Sequence, residues 1–558
     1  MSESRRFTGA LRALLPTRAD YGQIGRSWRP DLVAGLTVGI VALPLALAFG
    51  VSSGAGAESG LITAIVAGLI AAVFGGSNVQ VSGPTGAMVV VLGPVVAVHG
   101  AEVIPLLSLM AGVIVVAAGV LRLGRTVSYI PWPVIEGFTL GIAVIIFLQQ
   151  VPSALGSVPG PSSNALVAAA QSVPEATWSG ALWALGAVLA VAAIMLLAPR
   201  LHPQLPGSLI GIAAVTVAAV LLDAPLARIG TLPSSLPAPS LPAASPELLL
   251  TLLGPALTIA ALAAIESLLS ARVAASLTPV GGYHADRELF GQGLASIGSG
   301  LFGGMPATGA IARTAVNIRA GAQTRVSAIV HAVVLLLVVL FASRIVAEIP
   351  LAALAGVLMV TAFRMISIAT VRAVTGANRS AAIVFALTAV VTVSFDLIIA
   401  VLIGIAVAAL FALRSLAASG GVHREEIPGP RSPEDARIAL FRFDGALFFG
   451  SADRTLEAVA AVQGVDVVIL RMSQLQLLDA TGAHVTAEMI QALERSGITV
   501  LLKGIQPKHL RLATRVGVLA ELRDQQHLFE DLGEAVRHAR DHVRRAGGEA
   551  IRPEPRAG

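Results

Sequence analysis

The sequence has no cysteine and very little charge. Without cysteine, the chain has no disulfides, thiolate metal sites or cysteine nucleophiles. Charged residues make up 13% of the 558 residues and hydrophobic residues 55%, whereas soluble proteins carry about 25% charged residues. The mean hydropathy is +0.81. These values exclude an ordinary soluble protein and predict an integral membrane protein.

Several functional motifs are also missing. The sequence has no phosphate-binding Walker loop, so nothing in it supports ATP-driven chemistry. Its histidines lack the spacing of metal ligands, and no Ser-His-Asp arrangement can be argued. The pI near 10.3 does not predict a nucleic-acid partner, because the position of the arginines relative to the membrane explains it. We expect no enzymatic activity, no metal site and no cofactor.

Long apolar runs dominate the first three quarters of the chain. They are roughly 16 to 25 residues long, which is enough to cross a hydrocarbon core of about 30 Å as helices. They lack the short alternation of an outer-membrane barrel. The pattern predicts 14 spans in a lipid bilayer, near residues 33–51, 59–75, 85–99, 103–121, 130–150, 180–198, 207–222, 249–271, 288–303, 309–318, 326–343, 350–366, 379–394 and 396–414.

The arginines set the expected orientation of these spans. With the N-terminus inside, 11 arginines fall in inside loops and only Arg228 and Arg344 fall outside. This is the positive-inside bias, and it predicts that both termini are cytoplasmic. The inside residues are Arg122, Arg125, Arg200, Arg272, Arg287, Arg319, Arg325, Arg364, Arg372, Arg379 and Arg414. The two longest outside loops, 151–179 and 223–248, are predicted to be solvated connections.

After Arg414 the composition changes to that of a soluble domain. Three short buried strands, at 438–443, 465–470 and 498–502, alternate with helical patterns at about 453–461, 480–495 and 507–515, which predicts a small α/β sheet. The expected organisation is a cytoplasmic N-terminal segment (1–30), a transmembrane domain (31–418), a linker (419–436), the α/β domain (437–545) and a disordered tail (546–558).

Two similar interruptions break the apolar pattern. The first is Phe74-Gly75-Gly76 followed by Ser82-Gly83-Pro84-Thr85-Gly86-Ala87, and the second is Phe302-Gly303-Gly304 followed by Thr308-Gly309-Ala310. Gly and Pro break a helix, and lipid tolerates broken backbone only where it is buried in protein or lines a cavity. Matching interruptions in two halves indicate a transporter's binding site.

A half-length helix beginning at each interruption would leave free N–H groups at its start. Two such helix starts that face each other each carry about half a positive charge, which attracts an anion. The residues at the two starts are therefore predicted to bind the anion: Ser82, Thr85, Gly86, Ala87, Thr308, Gly309 and Ala310.

Two charged residues lie inside predicted spans. Arg313 follows the second interruption, and a guanidinium there costs roughly 3 kcal/mol or more to insert. We expect it to face the anion pathway, with snorkelling to the membrane surface or a structural pair as the alternative. Glu266 lies deep in the eighth span, where it either couples H⁺ or Na⁺ or serves as a structural pair or hydrogen-bond anchor. Glu136 and Asp396, at the starts of other spans, are expected to be structural.

Four segments in combination resemble the SulP family of anion carriers. This family includes bacterial sulfate, bicarbonate and dicarboxylate carriers and the animal anion exchangers related to prestin. The resemblance covers residues 30–545. The segments are Phe74-Gly75-Gly76, 81–87, 133–141 and 304–317.

The resemblance implies an all-α polytopic fold of two inverted seven-helix repeats, as in uracil permease, with two half-helices. Spans 1–4 and 8–11 would form a moving core, and spans 5–7 and 12–14 a gate. The anion would bind between spans 1, 3 and 10 and move by an elevator motion in the bacterial cytoplasmic membrane. Family members are commonly homodimers whose tail domains contact the partner protomer.

The implied function is secondary active transport of a small inorganic or organic anion coupled to H⁺ or Na⁺. Sulfate is the first candidate, and bicarbonate or a C4-dicarboxylate comes next. A passive channel or an exchanger is the remaining alternative. The resemblance also places Phe49, Ala312 and Arg313 at the substrate. Leu45 and Ala312 replace a Gln and a Ser of the animal relatives, which makes the site less polar.

The tail contains one specific element, Leu478-Asp479-Ala480-Thr481-Gly482, which opens a helix after a strand. It resembles the STAS domain found in anti-sigma-factor antagonists and at the cytoplasmic end of sulfate-permease-like transporters. By position, Thr481 corresponds to a phosphorylated Ser of the antagonists, so it is a candidate regulatory residue. The alternative is that Asp479 and Thr481 only cap the helix.

Overall fold

The computed structural model describes residues 14–549 except for 22–23, 126–129, 163, 203–204, 281, 396, 451–456, 458 and 460–461. The chain forms two compact units, Met1–Ile405 and Ala406–Gly558. Asp396, most of the helix expected at 453–461 and most of the tail expected at 546–558 lie outside the described residues.

The first unit is built from helices that coincide with the predicted apolar segments, and the last of them (Leu397–Ser419) continues into the second unit. Among the described residues, nine helices are long and apolar enough to cross a membrane, and α3, α7 and α13 are shorter apolar helices. An all-helical polytopic membrane unit is thereby confirmed. The helices are α1 (Ile24–Ser52), α2 (Gly56–Phe74), α3 (Gly86–His99), α4 (Ile104–Val120), α5 (Trp132–Gln149), α6 (Trp178–Leu201), α7 (Gly207–Leu221), α8 (Pro246–Leu277), α9 (Ala285–Leu301), α10 (Ile311–Arg319), α11 (Val326–Ala347), α12 (Leu351–Met365), α13 (Arg379–Ser394) and α14 (Leu397–Ser419).

The helices pack in two groups. In the first group, α1 packs on α11, α4 on α9, and α8 on both α4 and α10. In the second, α5 packs on α13 and α12, and α6 packs on α12 and α7. The two groups meet where α1 and α3 approach α5, α7 and α12. Helices that are far apart in sequence are thus neighbours in both groups.

Glycine allows the close contact between α4 and α9. A Cβ added at Gly112 would lie 2.7 Å from the carbonyl oxygen of Gly293, and one at Gly300 would lie 2.6 Å from that of Pro105. Small residues let helix backbones approach each other inside a membrane, where packing rather than the hydrophobic effect drives association. The α4–α9 pair therefore forms a tightly packed centre of the first group.

The predicted outside loops contain more structure than expected. Segment 151–179 includes the short helices Val151–Leu155 and Ala165–Ser172, the second capped by the side chain of Asn164. In segment 223–248, Ile229 donates its N–H to Ile349 O and Leu351 donates to Ala227 O. Describing both segments as solvated connections was therefore incomplete, because local caps and backbone bonds order them.

The second unit contains a five-stranded sheet. The strands β1 (Ser82–Gly83) and β2 (Thr308–Gly309) belong to the first unit. The strands of the sheet are β3 (Gly421–Glu425), β4 (Ile438–Leu447), β5 (Val467–Leu478), β6 (Thr499–Lys503) and β7 (Leu528–Phe529). Their order follows the sequence, and all neighbouring pairs are parallel except β3–β4. The predicted α/β sheet is confirmed.

Helices cover both faces of this sheet. The helices α15 (Ala480–Arg495) and α16 (Pro507–Val516) pack into one apolar cluster, and α17 (Leu532–Glu549) packs into another. The last helix continues four residues past the expected end of the domain at 545. The unit thus has its own hydrophobic core.

Candidate functional site

The two interrupted segments meet in the first unit. Each forms a two-residue strand, β1 (Ser82–Gly83) and β2 (Thr308–Gly309), and the two strands pair in antiparallel register. The N–H of Ala310 also donates to Val81 O at 2.8 Å. Each broken segment therefore supplies the hydrogen bonds that the other lacks, as buried backbone requires.

A half-length helix leaves each strand. The helix α3 begins at Gly86 and α10 at Ile311, and neither has a side-chain cap at its N-terminus. Because the strands are antiparallel, the two helices leave the crossing in opposite directions with their N-termini next to it. The first-turn N–H groups of both helices are thus concentrated at one place, as the sequence predicts. Such helix starts attract anions.

One face of α8 runs along both breaks. Thr308 donates its hydroxyl to Ala263 O at 3.1 Å, and Gln80 donates its side-chain amide to Ser267 O at 3.2 Å. Thr85 donates its hydroxyl to Oε2 of Glu266 at 2.8 Å. Glu266 and Ser267 lie three and four positions after Ala263, so these contacts come from one side of the helix.

Glu266 therefore lies at the start of α3. Its Oε2 accepts a hydrogen bond from the hydroxyl of Thr85, and the Thr85 side chain does not cap its own helix. The side chain is partly exposed. Its bond from Thr85 and its electrostatic interaction with Arg313 place this carboxylate beside the crossing.

Arg313 is buried at the crossing. It donates a hydrogen bond to Pro84 O, and its Nη1 has no hydrogen-bond partner. A Cβ added at Gly83 would lie 2.7 Å from that nitrogen. The side chain is only 2% exposed, so it does not snorkel to the membrane surface. The unpartnered nitrogen adds positive potential next to the two helix starts.

The remaining predicted residues lie around this crossing with different exposure. Phe49, Ser82, Ala87 and Ala310 are buried, while Ala312 is exposed. A Cβ added at Gly86 would meet Ile146 Cδ1 at 2.2 Å and Phe49 Cε1 at 3.5 Å. Phe49 of α1 therefore packs at the start of α3.

The structure adds residues that the sequence reasoning missed. Gln292 donates its amide to the Ser82 hydroxyl. Thr314 accepts the N–H of Val81 at 3.0 Å, and Asn317 donates to Val79 O at 2.8 Å. Thr63, in a π-helical turn of α2, accepts the N–H of Met305 at 2.8 Å. Each is a polar residue inside a predicted span, which was the available signal.

In the second unit, Asp479 is the cap of α15. Its Oδ1 accepts the N–H of Gly482 at 2.7 Å, and its Oδ2 accepts that of Phe449 at 3.3 Å. Thr481 is exposed in the first turn of the helix. Asp479 therefore caps the helix, and the side chain of Thr481 is exposed and accessible for modification.

Comparisons with known proteins agree with this architecture. Residues 28–388 match the sulfate permease family and residues 430–535 match the STAS domain. "Putative sulfate transporter YvdB" of Bacillus subtilis (strain 168) is 34% identical, over 90% of this chain and 96% of that protein. "Bicarbonate transporter BicA" of Picosynechococcus is 31% identical, over 82% of this chain and 85% of its own length.

A solved structure shares the fold. The murine Solute Carrier 26 family member A9 anion transporter in the inward-facing state matches with a TM-score of 0.79 and 17% identity, covering 92% of this chain and 91% of that one. The membrane unit, the tail domain and both curated relatives indicate the same assignment. The chain belongs to the sulfate permease family, with a C-terminal STAS domain, and is an anion transporter rather than an enzyme.

Proposed function

We propose that this protein is a secondary active transporter that binds a small anion at the β1–β2 crossing and couples its movement to H⁺ or Na⁺. The observation that carries the proposal is the antiparallel pairing of the two strands, which brings the uncapped starts of α3 and α10 together. Each start contributes about half a positive charge. Arg313 adds a full charge with an unpartnered nitrogen.

The contacts of the two threonines divide their roles. The hydroxyl of Thr308 is fully buried and donates a hydrogen bond to Ala263 O. It is therefore not free to donate to an anion in this conformation. Thr85 lies at the start of α3 and donates its hydroxyl to Glu266. The hydroxyl can therefore donate to an anion only when its bond to Glu266 is broken. The backbone N–H groups of Gly86, Ala87 and Ala312 are the other donors.

Glu266 supplies the coupling. Its carboxylate opposes the positive charge of Arg313 and of the helix starts, and the two side chains interact electrostatically. A proton or a Na⁺ ion that neutralises the carboxylate removes this opposing charge. Anion binding and cation binding then favour each other, as linkage between two sites requires. Symport follows if the loaded site crosses the membrane more readily than the half-loaded one.

The two packing groups fit an elevator motion. The group containing α1–α4 and α8–α11 holds both breaks, and the group containing α5–α7 and α12–α14 packs beside it. We propose that the first group moves as the core against the second as the gate, within 14 spans arranged as two inverted repeats. We also propose a homodimer in the bacterial cytoplasmic membrane with both termini in the cytoplasm.

Sulfate is the first candidate anion, and bicarbonate is the second. One curated relative is named as a sulfate transporter and another as a bicarbonate transporter. Two helix starts and a guanidinium suit a dianion such as sulfate, because its interaction with them is about twice that of a monoanion.

The test is an uptake panel with the purified full-length protein in proteoliposomes. Sulfate, bicarbonate, fumarate and chloride are offered with an imposed H⁺ gradient, an imposed Na⁺ gradient or neither. We expect concentrative uptake of one anion with one gradient. Flux that only equilibrates, with no accumulation under either gradient, would identify a channel or exchanger instead. Failure of every anion to bind or move would overturn the assignment.

A further inference from the structure

A second cluster of buried positive charge lies at the N-terminal ends of α9 and α11. Arg287 lies in the first turn of α9 and Arg325 is the residue at which α11 starts. Their side chains are 5% and 1% exposed. A cation is disfavoured at a helix N-terminus, where the helix dipole favours an anion. Two buried guanidinium groups at two helix starts therefore form a region that requires negative charge.

Most of the hydrogen-bonding capacity of this cluster is unused. Arg325 donates from Nη1 to Ala72 O at 3.0 Å, and Arg287 donates from Nη1 to Asp20. The Nε and Nη2 atoms of both arginines have no hydrogen-bond partner. Buried guanidinium N–H groups are costly to leave unpaired. The cluster is built to hold more acceptor oxygens than it now contacts.

The anion present in the cluster belongs to the chain's own N-terminal segment. Asp20 lies in a 3₁₀ turn before α1, and Thr17 donates both its N–H and its hydroxyl to Oδ2 of this carboxylate. Both carboxylate oxygens of Asp20 accept from Nη1 of Arg287, and Oδ1 lies 3.6 Å from Nη2 of Arg325. The carboxylate thus uses one nitrogen of Arg287 instead of forming the usual two-nitrogen fork.

Two further acids among the described residues lie near the cluster: Asp31 accepts the N–H groups of Gln323 and Thr324 just before α11, and Glu288 accepts hydrogen bonds from groups other than the arginines. The Oε2 of Glu288 accepts the N–H of Gly76 at 2.8 Å and its Oε1 accepts the amide of Gln292 at 3.0 Å. It lowers the local positive potential without filling the donors of the arginines. The unpaired donors of both arginines therefore remain available to another anion.

We infer that Arg287 and Arg325 form a second oxyanion site, separate from the strand crossing, which the Asp20 carboxylate occupies and from which a tetrahedral oxyanion displaces it. A tetrahedral oxyanion presents four acceptor oxygens in several directions, whereas a carboxylate presents two in one plane. Sulfate and phosphate share this chemistry. Binding would release the Thr17–Tyr21 turn from α9 and α11, so the segment's position would report the oxyanion concentration on its side of the membrane.

The absence of cysteine allows a direct test on the full-length protein. Leu15 is 43% exposed, so Leu15→Cys provides a single labelling site for an environment-sensitive fluorophore next to the turn. The labelled protein in detergent is titrated with sulfate, phosphate and chloride at constant ionic strength. We expect a saturable signal with sulfate or phosphate and none with chloride. Response to sulfate alone or to phosphate alone identifies the ligand, and equal response to all three overturns the site.

Variants distinguish this site from the strand crossing. Asp20→Asn removes the competing carboxylate, and losing a charged hydrogen bond changes an equilibrium constant by about tenfold or more. Sulfate should therefore bind at least about tenfold more tightly at the second site, measured by calorimetry. Arg287→Gln should abolish the fluorescence signal, while Arg344→Gln, at an exposed arginine, should not. Size-exclusion elution and thermal melting verify that each variant is folded.

Arg313→Gln separates this inference from the proposed function. It alters the crossing and leaves the second cluster intact, so the Leu15→Cys signal should survive. Loss of the signal in Arg313→Gln would mean that the probe reports the crossing, and it would overturn the second site. Unchanged sulfate affinity in Asp20→Asn would also overturn it. Should Arg287→Gln fail to fold, Asp20→Asn and Arg313→Gln still decide the question.

Discussion

Replacing Glu266 by Gln should uncouple anion movement from the driving ion. The side chain keeps its shape, and its amide oxygen can still accept the Thr85 hydroxyl, which lies 2.8 Å from the carboxylate in the structure. What is lost is one negative charge at the start of α3. The variant therefore resembles permanently the state in which H⁺ or Na⁺ has neutralised the carboxylate.

The size of the effect follows from the position of this charge. An anion held by the first-turn N–H groups of α3 would lie close to the carboxylate, because Thr85 at the same helix start bonds it. With an effective dielectric constant of about 20, two unit charges about 6 Å apart repel by about 3 kcal/mol. Solvent and Arg313 screen part of this, so we expect anion affinity to rise by at least about tenfold. A dianion should gain more than a monoanion.

The assay compares two modes of transport in proteoliposomes. Uptake driven by an imposed H⁺ or Na⁺ gradient should fall to the level without a gradient in Glu266→Gln. Exchange of external labelled anion for internal unlabelled anion should persist, because it needs only the neutral site. Glu247→Gln is the matched control, since Glu247 lies exposed in the first turn of the same helix. It should behave as the unmodified protein.

Two results would refute the reasoning. Gradient-driven accumulation that survives in Glu266→Gln would mean that the coupling ion binds elsewhere. Loss of both accumulation and exchange, in protein that still melts cooperatively, would mean that the carboxylate is needed for the structure of the crossing rather than for coupling.

Three further predictions concern the threonines and the tail. Thr85→Val should weaken anion binding by about tenfold or more, since a hydrogen bond to a charged group is worth about 1.5–3 kcal/mol. Thr308→Val should mainly lower the melting temperature, because the hydroxyl of Thr308 bonds Ala263 O. If calorimetry gives Thr85→Val the same anion affinity as the unmodified protein, the breaks are only packing devices. Truncation after residue 418 should lower expression or transport rate and leave anion selectivity unchanged, and altered selectivity would place the tail in the pathway. The hydrogen bond from Arg540 lowers the pKa of Asp435. The stability that this bond adds is therefore present above the ordinary Asp pKa of about 4 and is lost as the pH falls through the lowered value. The difference in melting temperature between the isolated tail and its Asp435→Asn variant should vanish in acid, and a difference that stays constant with pH would contradict this.

The helical part of the fold could be predicted well from sequence, for a physical reason. Each membrane helix must satisfy its own backbone, so its length and composition appear directly in the sequence. The starts of the half-helices were predicted near 85 and 309, and the structure has them at Gly86 and Ile311, because Gly and Pro mark such breaks. In the tail, α15 spans Ala480–Arg495, the predicted range.

The partners of the site residues could not be predicted in the same way. Which residue faces Glu266 depends on how α8 is rotated against the crossing, and that rotation comes from packing rather than from local sequence. The bond from Thr85 to Glu266 joins residues 181 positions apart. The spacing of polar residues in α8 was visible, but nothing in it identified the strand crossing as their neighbour.

The arginines show a second limit of sequence reasoning. Arg287 and Arg325 were counted as inside-loop charges that set the orientation, yet both are buried at helix starts. Counting charges does not reveal burial, because a loop arginine and a buried one look alike in a sequence. The pairing with Asp20, which precedes the first membrane helix, gave no periodic signal at all.

The crossing itself explains why the two breaks must occur together. An extended segment inside a membrane leaves N–H and C=O groups unpaired, and each such group costs several kcal/mol. Here β1 and β2 pair with each other, and Val81 receives the N–H of Ala310 and gives its own to Thr314. Either break alone would lack these partners. The same arrangement that satisfies the backbone leaves the first-turn N–H groups of both half-helices uncapped, so the solution to the folding problem also creates the site that attracts an anion.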